Sequence, residues 1–239
     1  MQLQLQLQLL LQLLLQLLLQ LQLILQLQLI LQLQLQLQLQ LQLLLQLGLA
    51  PDMSPNEWEK YWPYSLQLKK LITEYYNNDT SIIPKITDDG INGEMVSHMK
   101  HRIVEILSKS LYDVVIVLGG TNDLGHHRTT SEILTDLYEI HHTINNFGLK
   151  SNRNIYSFVM TIPPLGWPVN QATRNEVNIA LREYVTKNIT RSYLIDLDKI
   201  LTTTHNDKKY YSNDAVHFSP AGYDLIGSLI FNCLKDSPI

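Results

Sequence analysis

The chain has 239 residues, with 18 basic and 22 acidic side chains, a formal charge of −4 and one cysteine, Cys233. One cysteine cannot build a disulfide scaffold, and no basic excess marks nucleic acid or an anionic membrane as the partner. Residues 2–47 hold only Gln and Leu apart from Ile24 and Ile30, so every charged residue lies in the remainder, whose composition is ordinary for one soluble domain with a core.

The leading tract alternates Leu and Gln from Gln2 to Gln8 and from Leu31 to Leu43, with four-residue steps at Gln12, Gln16 and Gln20 between them. No apolar run in it exceeds three residues, whereas a membrane-spanning helix needs about twenty. It also lacks the positive start and small-residue cleavage site of a secretory signal. Strict alternation suits a strand with one dry face, while Leu and Gln are both good helix formers, so the secondary structure stays open. An uncharged, β-capable, leucine-rich segment is able to self-associate. Composition of this kind more often marks an expanded simple repeat or a faulty gene prediction. The single cysteine and the lack of a recognisable signal point to the cytoplasm.

After Gly48 the pattern becomes that of punctuated helices and apolar runs. Pro63 to Tyr76 reads as a helix with Leu68, Leu71, Ile72 and Tyr75 on one face. Ile82 to Ile86 is a short apolar piece interrupted by Pro84, an edge strand if it is one. Gly93 to Ser108 is a second helix, with Met95, Met99, Ile103, Ile106 and Leu107 at helical spacing. Tyr112 to Leu118 contains an unbroken β-branched run, the mark of a strand buried on both faces and therefore central and parallel. Thr129 and Glu132 form a capping box that opens a helix striped by Ile133, Leu137, Ile140 and Ile144.

Ile155 to Ile162 is the next strand, stopped by Pro163-Pro164. Asn175 to Lys187 is helical, with Val177, Leu181, Tyr184 and Val185 inward, and Tyr193 to Leu197 is a last short strand. Ser219-Pro220 supplies an N-cap and first-turn proline for a closing helix carrying Ile226, Leu229, Ile230 and Cys233. The alternation predicts a three-layer parallel sheet, in which ligands bind at the carboxyl edge.

Three loops at that edge carry chemistry. Gly119-Gly120-Thr121-Asn122-Asp123 follows the central strand and brings backbone and one side-chain amide close to whatever sits above the sheet. Gly90-Ile91-Asn92-Gly93 leads into a helix, where free backbone N–H groups favour an anion or a developing oxyanion. Asp214-Ala215-Val216-His217 precedes the closing helix, and an Asp and a His three apart can share a hydrogen bond that fixes the imidazole tautomer. Each alone is equally a turn or a solvated histidine. Together they supply two oxyanion donors and a base with its orienter, which is what acyl transfer requires.

At these residues the sequence resembles the SGNH hydrolases, also called the GDSL esterase/lipase superfamily, from about Gly48 to the C-terminus. Gly120-Thr121-Asn122-Asp123 matches the Gly-x-Asn-Asp block, Gly90 to Gly93 the glycine block, and Asp214 to His217, continued through Phe218 to Tyr223, the final block. The resemblance implies a flavodoxin-like order 2-1-3-4-5 and hydrolysis of a small-molecule carboxylic ester. Gly93, Asn122 and Gly120 would form the oxyanion and substrate-binding side. His217 would be the catalytic base and Asp214 its orienter, with no cofactor, metal or nucleic acid involved.

The block that carries the nucleophile is missing. The family's Gly-Asp-Ser-Leu-Thr-like turn falls across Gln42 to Gln46, with Leu44 near the serine's place, and leucine has no attacking atom. Ser54 lies past that turn without its glycine, and Ser65 falls in the first helix. Leu41 to Leu47 is then expected as a substitute first strand, with Gln42 and Gln46 aimed at a helical layer. The expected organisation is a Gln/Leu tract over residues 1–47 and a hydrolase-like domain over 48–239, inactive if the serine is truly absent. A non-catalytic binding or scaffold module with a self-associating tail is the alternative.

Other features are weaker. His98/His101, His126-His127 and His141-His142 lack the carboxylate or Cys spacing that completes a metal site, and read as solvated. Asn78-Asp79-Thr80 and Asn188-Ile189-Thr190 are glycosylation sequons. Trp58, Trp62 and Trp167 fall in loops or at their edges, and Pro163 to Pro168 is a candidate wall of an acyl pocket. Cys233 fits an apolar stripe.

Overall fold

The computed structural model describes residues 63–79, 81, 83–166, 170–188, 191–201, 209–212 and 214–237, together with residues 16, 20, 22, 26, 45 and 46. In chain order the elements are β1 (Leu45–Gln46), α1 (Tyr64–Tyr75), β2 (Thr87–Asp88), α2 (Val96–Lys109), β3 (Val114–Val117) and α3 (Thr121–Gly125). They continue as α4 (Thr130–Lys150), β4 (Tyr156–Met160), α5 (Gln171–Lys187), β5 (Ser192–Ile195), α6 (Leu197–Leu201) and α7 (Pro220–Asp236). The chain divides into two units, residues 1–39 and 40–239. In the first, the described residues Gln16, Gln20, Gln22 and Gln26 are helical and exposed. No helix among the described residues is long and apolar enough to cross a membrane.

Every strand pairing is parallel. β1 pairs with β2, Leu45 opposite Thr87 and Gln46 opposite Asp88, while β3 pairs with β4 and β4 with β5. The described strands form two hydrogen-bonded sheets, β1-β2 and β3-β4-β5, and β1 packs beside β3 without a described ladder between them, so that by proximity the strands follow one another as β2-β1-β3-β4-β5, the flavodoxin-like order. The strand next to β3 on that side, Leu45–Gln46, belongs to the Gln/Leu tract and falls within the stretch 41–47. The directions of the Gln42 and Gln46 side chains lie outside the described residues.

The two faces of the sheet follow from the period of two along β3. Val115 and Val117 face a core shared with Met99 and Ile103 of α2, Ile133, Leu137, Ile140 and Ile144 of α4, and Val177 and Leu181 of α5. Val114 and Ile116 face the opposite core, with Leu68 and Ile72 of α1 and Ile226 and Ile230 of α7. A strand with both faces covered needs apolar side chains at every position, and all four residues of β3 are buried. Fully burying each such side chain contributes roughly 1.5–3 kcal/mol.

The caps read from the sequence are built. Thr129 Oγ1 accepts from Glu132 N, and Glu132 accepts from Thr129 N at 2.8 Å. Ser219 Oγ accepts from Gly222 N at 3.2 Å with Pro220 in the first turn.

Several expectations need correction. The second strand lies at Thr87–Asp88 and not within residues 82–86, because Pro84 has no N–H to give a ladder. Gly93 to Met95 stays outside the helix that follows it. Leu197 opens α6 instead of ending β5. Thr121 to Asp123, read as part of the loop after the central strand, lie in a short helix, Thr121–Gly125. On the closing helix Ile226 and Ile230 are buried, whereas Leu229 and Cys233 are only partly so. Ser65 sits in α1 as expected and donates to Asp88 Oδ2 at 2.8 Å.

Candidate active site

The central strand delivers one half of the site. After Leu118 the chain passes Gly119 and Gly120 and turns into α3, which carries Asn122 and Asp123. Gly120 has φ +106°, and a Cβ there would meet Ile162 Cδ1 at 2.6 Å. Both the backbone region and the close approach require glycine. Asp123 is fully buried and holds two elements at once. Its Oδ2 accepts from Val96 N at the start of α2 (3.1 Å), and its Oδ1 from Arg128 Nη1 (2.6 Å). Arg128 continues to Asp136 of α4 at 2.7 Å, and Lys100 of α2 meets the same carboxylate at 2.6 Å.

Asn122 Nδ2 donates to Glu94 O at 3.0 Å, which ties the Gly93 turn to the Asn122 turn. Glu94 itself is held by Arg102, at 2.8 Å from Nε and 2.7 Å from Nη2. A side-chain amide has two N–H bonds, and the second, which meets no described residue, can be given to a ligand oxygen. Gly93 has φ +74°, with open space where a Cβ would stand, and its N–H donates to no described residue.

The other half is the turn before α7. Asp214 Oδ2 lies 2.6 Å from His217 Nδ1. Its Oδ1 accepts from Ser212 Oγ at 2.6 Å and from the N–H groups of Val216 and His217, both at 2.9 Å. Burial works upward on this carboxyl, but the Ser212 hydroxyl, the His217 ring and the two backbone donors outweigh it and hold it well below the usual carboxylate range. An ionised carboxylate only accepts, so the neutral imidazole carries its proton on Nδ1 and leaves Nε2 as a lone-pair base.

The halves share one cavity of about 530 Å³, lined by Thr121, Asn122, Gly125, His126, Asp214, Val216 and His217. Asn122 and His217, predicted from separate motifs, are thus brought together. Gly120 packs against Ile162, and Gly93 is joined to the site only through its neighbour Glu94, whose carbonyl accepts from Asn122; neither glycine is among the described residues that line the cavity. His126 was not read as part of the site. Its spacing of four from Asn122 on one helical turn was a signal that could have placed it there.

Among the described residues no group of His, Cys, Asp and Glu could hold a metal ion. His141 departs from the solvated reading: it is buried, its Nδ1 lies 2.6 Å from Ser157 Oγ, and burial pushes it down to about 3. Leu44, Ser54, Trp58, Trp62 and Trp167 lie outside the described residues. Leu45 and Gln46, the last residues of the stretch against which the family's nucleophile turn aligns, are strand.

Residues 48–225 match the model of the GDSL-like lipase/acylhydrolase family. Solved structures with the same fold include the lipase/acylhydrolase from Enterococcus faecalis, at 18% identity, with 81% of this chain and 95% of that chain covered and a TM-score of 0.64. The psychrotrophic esterase EstA from Pseudoalteromonas sp. aligns at 14% identity over 81% and 96%, TM-score 0.61. Est24, a carbohydrate acetylesterase from Sinorhizobium meliloti, aligns at 14% over 81% and 98%, TM-score 0.59. At such identities the likeness shows the fold. No curated protein matches the chain.

Proposed function

Because the chain belongs to the GDSL-like lipase/acylhydrolase family, we propose that the shared cavity is a carboxylic-ester site that keeps the polarising and proton-transferring parts and lacks the attacking group. Asn122 Nδ2 and the Gly93 N–H are the donors for a carbonyl oxygen that gains charge. His217 Nε2 is the base and Asp214 its orienter. The observation that supports this most directly is the 2.6 Å contact between Asp214 and His217 in the same cavity as Asn122.

Residues 44–50 read Leu-Leu-Gln-Leu-Gly-Leu-Ala, without a hydroxyl or thiol. Nor does Gln42 or Leu43 carry one, so neither the stretch aligned with the family's turn nor the residues just after it offer His217 a side-chain nucleophile to deprotonate. Water activated by His217 alone would turn over slowly, since losing one triad member removes most of the catalysis.

The full chain is therefore expected to resist labelling by a fluorophosphonate probe and to hydrolyse p-nitrophenyl acetate at no more than about 10³–10⁴-fold above the buffer rate, the residue left to a site without its nucleophile. Labelling, or turnover that disappears in a His217→Ala variant at far above that rate, would reject the nucleophile-free reading. A binding or scaffold role favoured by the same missing hydroxyl adds self-association through residues 2–47. Sedimentation showing a monomer at all concentrations would exclude that addition.

A further inference from the structure

We propose that Gly166 is a positioning residue for the Asp214–His217 pair, acting through the backbone of Ala215. The inference rests on the reading of that pair as the acid–base half of the site.

Gly166 ends a segment with little freedom to move. Asn178 grips Ile162 from both sides, its Oδ1 accepting from Ile162 N and its Nδ2 donating to Ile162 O, each at 2.8 Å. Arg174 Nη1 also reaches Ile162 O at 3.3 Å, Gln171 Nε2 donates to Leu165 O at 3.1 Å, and Tyr211 OH donates to Pro164 O at 3.0 Å. Residues 161–165 are all buried.

At the end of this platform Gly166 N donates to Ala215 O at 2.8 Å. Ala215 stands between Asp214 and His217 with φ +57°, a left-handed conformation that a Cβ disfavours. A Cβ on Gly166 would lie 2.2 Å from Ala215 Cβ, far inside the ordinary carbon–carbon separation of about 3.5–4.0 Å. The backbone at 166 is not in the left-handed region, so alanine there meets no strain of its own. The effect is the collision with Ala215, whose methyl is the severest contact and whose carbonyl oxygen would lie at 3.1 Å.

One side must give way. Residues 161–165 behind Gly166 are buried and clamped, whereas Gly166 itself is exposed and Asp214 and His217 expose 50% and 42% of their side chains, so the displacement falls at the Gly166–Ala215 contact and carries the turn with it. Restoring an ordinary separation shifts Ala215 by more than about 1 Å. A shift of that size breaks a 2.6 Å contact and misplaces the base, and misplacement by about 1 Å can cost on the order of 100-fold in rate.

The experiment reads the tautomer of His217 from long-range proton–nitrogen NMR of its ring in the full-length protein, with thermal melting as the folding control. The parent chain is expected to show the Nδ1–H form. Gly166→Ala should lose that preference while staying folded, and adding Ala215→Gly, which deletes the colliding methyl, should restore it. Retention of the tautomer in Gly166→Ala overturns the proposal, and so does a loss that Ala215→Gly fails to rescue. Should Gly166→Ala not fold, recovery of folding by Ala215→Gly supports the contact and its absence rejects it. The ester-site reading fails separately, in the turnover and labelling measurements, because the tautomer reports geometry whether or not any ester is bound.

Discussion

The two halves of the cavity are held by opposite means. Asn122 stands on the short helix α3 that follows a strand buried on both faces, beside a fully buried Asp123 that joins α2 through Val96 and α4 through Arg128 and Asp136. Asp214 and His217 stand on a half-exposed turn, held by hydrogen bonds among near neighbours and one backbone contact to Gly166. The difference teaches where substitutions should act. On the donor half they should cost stability first, and on the acid–base half they should cost geometry while leaving the fold standing.

The sharpest way to break that contrast is Asp123→Ala. It leaves Val96 N and part of the Arg128 guanidinium without their buried acceptor, and removing one partner of a buried pair typically costs about 3 kcal/mol or more. Urea unfolding should show a lowered midpoint of that order. A loss below about 1 kcal/mol would mean that the donor half is not built on this carboxylate.

A smaller effect comes from His141, between α4 and β4 on the buried side. Its folded-state value of about 3 lies below the unfolded value of 6.5, so between these values the unfolded chain binds the extra proton. Its stabilising contribution is complete above about pH 6.5 and falls as the pH drops toward 3. Each unit in this window costs up to about 1.4 kcal/mol, or about 2 kcal/mol between pH 6.5 and 5. His141→Gln should flatten this part of the stability profile. Equal profiles for the variant and the parent chain would show that His141 is not buried and neutral.

The smallest change in stability is expected from Asp214→Asn on the other half. The residue is half-exposed and the amide oxygen can still accept from the turn, so the unfolding midpoint should move by less than about 1 kcal/mol. The His217 tautomer should nevertheless shift toward Nε2–H, because an amide no longer compels the Nδ1 proton. Large destabilisation with an unchanged tautomer would reverse the contrast between the halves.

Much of this was legible in local patterns. The β-branched run of β3, the capping box at Thr129 and Glu132 and the Ser219-Pro220 start of α7 each state their own structure through neighbours a few residues away. Asn122 and the Asp214/His217 pair were legible for a similar reason, since each motif is short and its chemistry is local. His141 was misread because its burial depends on α4, β4 and Tyr184 of α5 meeting around it, which no spacing announces. His126 was missed as a cavity residue because exposure and a role in a lining look alike in one dimension.

The sequence by itself determined that an α/β domain follows the Gln/Leu tract, that its carboxyl-edge loops carry amide donors and an Asp–His pair, and that no hydroxyl stands in residues 44–50. Only the tertiary structure decided that the Asn122 and His217 segments open on one cavity, that tract residues Leu45 and Gln46 pair with β2 and pack beside β3, and that Gly166 touches the turn between Asp214 and His217. The physical reason is range. Dihedral preferences, caps and hydrophobic period act over a few residues, whereas a cavity or a 2.8 Å backbone contact exists only after distant segments have been packed against a common core.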